Sequence, residues 1–165
     1  RYEGFGNNGI SIIIEALTDN KNRTASEVRA ILTKNGGNLG ETGSVAFNFK
    51  QVGEITFESH ISNKDEIIMF AIENGATDIL EEETIFRIIS TPNNFGALRN
   101  SLEKKFGEPK KSKLVWIAIN VIEISKEEAK KLFYIIDTLE ENDDIQNVYT
   151  NIDISEKTLI ELSDD

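Results

Sequence analysis

The chain has 165 residues, 29 acidic and 18 basic side chains, a formal charge of −11, 39% hydrophobic residues, one His and no Cys. The length allows one domain or two small ones, the apolar fraction excludes a disordered chain, and the missing Cys excludes a disulfide framework, a thiol nucleophile and Cys-based metal sites. No apolar run approaches the roughly 20 residues that span a bilayer, so a soluble protein of a reducing cytoplasm is expected.

Gly4-Phe5-Gly6-Asn7-Asn8-Gly9 matches the dinucleotide pattern G-x-G-x-x-G by letters alone. Its glycines precede a strand, whereas the motif must leave a strand and open a helix, so a glycine-rich turn is expected here and no cofactor. Residues 9–18 place Ile10, Ile12, Ile14 and Ala16 on one face at period 2 and read as a strand. After the loop 19–23, Thr24-Ala25-Ser26-Glu27 reads as a capping box for a helix with Val28, Ile31 and Leu32 inward, stopped by Gly36-Gly37. Residues 43–49 alternate Val45, Phe47 and Phe49 on one face, a second strand whose aromatic stripe is expected as core rather than as a base-stacking platform. The first fifty residues thus read βαβ.

Residues 53–59 read as a strand, and 65–74 as a helix with Ile67, Ile68, Ala71 and Ile72, closed by Gly75. Strands at 77–80 and 84–90 follow, then a helix at 94–106 using Phe95, Leu98, Leu102 and Phe106. The run 113–124 is too long for one strand and is expected to serve two sheets or to break in the middle. Ser125-Lys126-Glu127-Glu128 caps a helix to about residue 141, and 145–151 gives a last strand. The middle spells βαββαβ. The opening βαβ, the tail of the long run, the last helix and the last strand spell it again. The order predicts an α+β fold of two ferredoxin-like (βαββαβ) domains, one inserted into the other. The expected boundaries are 1–51 plus 118–152 for a discontinuous outer α/β domain, 52–117 for an inserted α/β domain, and 153–165 for an acidic C-terminal tail.

The charge is unevenly spread. Residues 137–165 hold ten acids against Lys157 alone, which leaves the rest nearly balanced. Lys104, Lys105, Lys110, Lys111 and Lys113 crowd into ten residues with only Glu108 opposing. Such a cluster can meet phosphates, or can be a solvated helix end and loop. His60, the one imidazole, rules out paired-His zinc motifs, and Glu81-Glu82-Glu83 and Asp143-Asp144 are expected as solvated turns. No catalytic residue, metal site or cofactor is expected. The polar loop Thr18, Asp19, Asn20, Asn22, Arg23 and Thr24 stabilises itself and caps the helix, or offers Arg23 as a clamp for a phosphate or a carboxylate.

Residues 1–6 through Gly9, the run 15–24, Val28-Arg29, Gly36-Gly37-Asn38-Leu39-Gly40 and Gly43-Ser44-Val45 resemble the YebC/PmpR family, and residues 139–151 look like its C-terminal signature. The resemblance covers nearly the whole chain. It implies a probable transcriptional regulatory protein, cytoplasmic in bacteria, in a family that includes a mitochondrial activator of cytochrome oxidase translation. It also implies two α/β domains, one inserted in the other, behind a basic N-terminal helical domain. The chain opens at Arg1 without Met, so that domain is expected to be missing. The function this implies is DNA-binding or RNA-binding and non-enzymatic, and the charge pattern makes Arg23, Arg29, Lys34, Lys104, Lys105, Lys110, Lys111 and Lys113 the candidate contacts for electrostatic docking. The alternatives are a translation factor acting on the ribosome, and a ligand- or protein-binding regulatory module. No membrane partner is expected.

Overall fold

A computed structural model describes residues 1–163. The chain is α+β and runs β1 (Tyr2–Phe5), β2 (Ser11–Ala16), α1 (Lys21–Lys34), β3 (Asn38–Leu39), β4 (Phe49–Glu58), α2 (Lys64–Glu73), β5 (Asp78–Glu81), β6 (Ile85–Ser90), α3 (Phe95–Phe106), β7 (Lys111–Ala118), β8 (Ile122–Glu123), α4 (Lys126–Glu140), β9 (Ile145–Thr150), β10 (Ile152–Asp153) and α5 (Glu156–Ser163). It separates into two compact units: residues 1–50 with the chain from Ile117 onward, and Gln51–Trp116.

The first unit holds a four-stranded sheet in the order β3-β1-β2-β9. β1 lies antiparallel to β2 with Gly4 opposite Ile12, and β2 antiparallel to β9 with Ile14 opposite Val148. Ile10, Ile12 and Ile14 pack with Val28 and Leu32 of α1 and with Leu132, Ile135 and Leu139 of α4 in one core. Each such side chain, fully removed from water, contributes about 1.5–3 kcal/mol. Leu132→Ala in this setting costs about 2–5 kcal/mol. Ile13, on the other face of β2, is buried as well, so alternation understates how enclosed this strand is.

Four sequence expectations change in this unit. The glycine-rich segment divides: Tyr2–Phe5 is a central strand, and only Gly6 to Gly9 turns, with positive φ at Asn8 and Gly9. Gly4 and Gly37 make that strand possible, because a Cβ at 4 would lie 2.7 Å from the Asn38 carbonyl oxygen and one at 37 would lie 1.9 Å from that of Phe5. β1 therefore takes the place expected of the tail of the long run, and β8 instead pairs in parallel with β10. Second, residues 43–48 are not a strand, and Phe49 is the first residue of β4. The buried Glu3 carboxylate accepts from the backbone N–H groups of Gly43, Val45 and Ala46 at 2.8, 3.2 and 2.8 Å and winds the segment into a turn and a 3-10 helix over Ala46–Asn48. The aromatic stripe is split, with Val45 and Phe49 buried and Phe47 67% exposed. Third, α1 begins a turn before the expected capping box. Its N-cap is Asn20, whose side chain accepts from the Arg23 N–H, and Gly36 at φ +87° stops it. The expected acidic tail also changes: α5 packs Leu162 against the first core, and Asp164 and Asp165 lie outside the described residues.

The second unit has the sheet order β5-β6-β4-β7, with β4–β6 and β5–β6 antiparallel. Ile55 and Phe57 of β4, Phe86 and Ile88 of β6, Ile67 and Ala71 of α2, and Leu98 and Leu102 of α3 form its core. Phe106 closes it, edge-on to Phe57 at 6.2 Å and to Phe70 at 5.5 Å, a favoured aromatic geometry. Asn63 caps α2 through the Glu66 N–H, and Gly75 at φ +98° ends it. Ile72, expected inward on α2, is 60% exposed. The long run both breaks and changes sheet: β7 joins this sheet, residues 119–121 bend away, and β8 pairs with β10.

Candidate functional site

The loop between β2 and α1 is tied to the turn before β9. Thr18 Oγ1 accepts from the Asn20 N–H at 3.0 Å and from the Thr24 hydroxyl at 2.8 Å, and its own proton points to Asp144 Oδ2 at 3.3 Å. Arg23 Nη2 donates to the same Asp144 oxygen at 3.1 Å and lies 3.4 Å from Asp19, while its Nε is 3.9 Å from Glu27. The Asn142 amide donates to Glu27, and its Oδ1 accepts the Asp144 N–H at 3.0 Å. The Leu17 N–H completes the join by donating to the Asp144 carbonyl at 2.8 Å. The hydrogen bond that Arg23 donates to Asp144, with Asp19 and Glu27 nearby, raises the Arg23 pKa further. One guanidinium thus faces three carboxylates.

Of its two possible partners, Arg23 takes the carboxylate. A phosphate brought to it would meet net negative charge and would have to displace Asp144. Asp144 is therefore no solvated turn residue, because it organises two segments that lie 120 or more positions apart. The other loop side chains frame this knot: Asn20 caps α1, Asp19 pairs with Arg23, and Asn22 is exposed. Arg29 and Lys34 are exposed on α1. At about 100° per residue Lys34 returns to the side of Arg23, whereas Arg29 lies roughly 120° away.

The lysine segment of the second unit is built differently. Lys104 and Lys105 close the last turn of α3, where cations complement the exposed carbonyls. Lys105 is engaged, its Nζ 4.7 Å from the Phe70 ring centroid and 3.8 Å from Glu66. Gly107, at φ +90°, turns the chain, and the Lys110 N–H donates to the Thr56 carbonyl at 2.8 Å, anchoring the backbone just before β7. Lys110 and Lys111 then line a groove of about 280 Å³ with Thr56, Ile85, Glu54 and Arg87. Arg87 is held by Glu82 at 2.9 Å and Glu54 at 3.6 Å. Lys113 is engaged within the fold. Among the described residues, Lys104, Lys110 and Lys111 carry no ion pair.

His60 lies 3.4 Å from Glu58 at the surface, and Glu81 pairs with Lys64 at 2.7 Å. Among the described residues no group of three or more His, Asp or Glu could hold a metal ion, and no helix is long and apolar enough to cross a membrane.

The family model described as "TACO1/YebC second and third domain" matches residues 1–152. The chain belongs to the TACO1/YebC family. The crystal structure of a conserved hypothetical protein, Aq1575 from Aquifex aeolicus, is similar at a TM-score of 0.82 and 36% identity, over 94% of this chain and 64% of that one. This chain thus spans less than two thirds of that relative's length. The TACO1/YebC match includes both halves of the Arg23–Asp144 knot and the whole lysine segment, and it stops before α5. Sequence reasoning missed Asp144 and Glu3 as organising groups. The available signal was that both fall inside runs resembling the YebC pattern.

Proposed function

We infer that this chain is the two-unit part of a non-enzymatic regulator of gene expression that docks electrostatically on nucleic acid. The second unit, with its strand order β5-β6-β4-β7 around two helices, we read as ferredoxin-like, and the first as a variant in which β1 supplies a central strand. Membership of the TACO1/YebC family supports the regulatory reading. The observation that carries the docking surface is the contrast among cations: Lys110 and Lys111 keep their charge available in a groove and Lys104 keeps its own at the end of α3, whereas Arg23 is consumed by carboxylates. Cytoplasmic action and the absence of a catalytic step belong to the same proposal.

A net charge of −11 makes such binding weak, and contact through lysines makes it salt-dependent. The test is a titration of the 165-residue chain with duplex DNA, with single-stranded RNA and with ribosomes at about 50 to 200 mM salt. The proposal expects log K to fall linearly with log salt, with a slope set by about two to three phosphate contacts. Binding that is flat with salt, or absent at the lowest salt for all three polyanions, contradicts it. Preference for ribosomes over naked DNA places the docking in translation.

A further inference from the structure

The apolar residues of α2 occupy two faces. Ile67 and Ala71 point into the second core, while Met69 and Ile72, 63% and 60% exposed, form a second stripe with Ile68, which is half-buried at the edge of that core. A helix apolar on both sides ordinarily has something on both sides. The outer stripe opens onto two adjoining hollows that share Ile68 and Ile72. One, of about 250 Å³, runs to the edge strand β5 over Ala76 and Ile79. The other, of about 420 Å³, lies over Met69 between Asp65 and Glu73.

The rim decides what fits. Asp65 and Glu73 stand at the two ends of the stripe, about 12 Å apart at 1.5 Å per residue, and Asp78 flanks it from β5. None of the three makes an ion pair within 4 Å among the described residues. Lys64, the cation nearest in sequence, is bound to Glu81 at 2.7 Å. A second copy of this chain packed face to face would set these carboxylates against their twins. A phosphate backbone or an anionic lipid surface would be repelled for the same reason. We propose that this groove docks an amphipathic helix of a partner protein, one with an apolar stripe flanked by Lys or Arg about two turns apart. The apolar stripe supplies contact area, and Asp65, Glu73 and Asp78 supply selection by charge. This surface is independent of the lysine groove, so either can fail without the other.

Met69 is the only methionine in the chain and sits at the middle of the stripe, so its methyl group is a single-site reporter. The probe is a synthetic helical peptide of about 14 residues made of Leu and Lys, with a twin in which every Lys is Glu. It is added to the 165-residue chain carrying a carbon-13-labelled Met methyl. The expected result is saturable binding of the Lys peptide that shifts the Met69 methyl resonance, with the Glu twin at least about tenfold weaker. In fluorescence anisotropy, Met69→Ser with Ile72→Ser, and separately Asp65→Lys with Glu73→Lys, each weaken the Lys peptide by about tenfold or more. Both pairs are solvent-facing, and an unchanged circular dichroism melt shows that the variants still fold. No binding, equal binding of the twin, binding that leaves the Met69 methyl unmoved, or sedimentation showing that a second copy covers the face overturns the proposal.

Discussion

The Arg23 loop and the lysine segment are both cation-bearing and polar, and they end in opposite states. In the first unit, Thr18, Arg23, Thr24, Glu27 and Asn142 converge on or around Asp144 and use up one another's hydrogen-bonding capacity. In the second, the turn at Gly107 and the Lys110–Thr56 backbone bond fix the chain, while Lys104, Lys110 and Lys111 carry no ion pair among the described residues. Local sequence charge does not separate a structural cation from an available one. What separates them is whether the fold returns a distant carboxylate, and Asp144 arrives from 121 positions away.

The largest expected effect belongs to Glu3. Burial pushes its carboxyl pKa up, but the three backbone N–H donors, with Arg1 beside them at 3.3 Å, outweigh it and hold the pKa below its ordinary 4.5. Glu3→Gln leaves a carboxamide facing three amide donors and is expected to cost about 3 kcal/mol, read as a lowered urea midpoint at unchanged slope. Because the folded pKa is the lower one, this stabilisation is present above pH 4.5 and is lost as the pH falls below it through the folded value. The pH dependence of the midpoint in that acid window is therefore expected to flatten in Glu3→Gln.

Next comes Asp144→Asn, which removes the carboxylate charge facing Arg23 and one of the oxygens open to Thr18 and Arg23, and is expected to cost about 1–2 kcal/mol by the same measurement. Replacing Lys104, Lys110 and Lys111 together by Gln is expected to change stability by less than about 0.5 kcal/mol, since only Lys104's exposed complement to the end of α3 is lost. That variant sharpens the comparison, because it leaves the fold intact and removes only the available charge.

Local devices were legible in the sequence and long-range ones were not. The Ser125 cap accepts from the Glu128 N–H as its spacing implies, and α2, α3, β6 and β9 lie close to their expected ranges, because caps and periodicity act within a few residues. β1 stayed hidden because Tyr2-Glu3-Gly4-Phe5 is too short and too glycine-rich to read as a strand, and it becomes one only when Gly37 and Asn38 come within contact of it. The Val45–Phe49 stripe misled because a carboxylate forty residues upstream overrides its β propensity. Ile72 looked like core because helical spacing marks apolar residues and cannot say that a helix carries two apolar faces. The candidate site followed the same division: the lysines were plain in the sequence, and Asp144's hold on Arg23 was invisible in it.

The most direct test of this contrast compares two variants, Lys104→Gln/Lys110→Gln/Lys111→Gln and Arg23→Gln, by the slope of log K against log salt on the polyanion the chain binds best. The account predicts that the triple variant lowers the magnitude of the slope by about two to three and that Arg23→Gln leaves it unchanged. A slope that drops in Arg23→Gln and persists in the triple variant would contradict it.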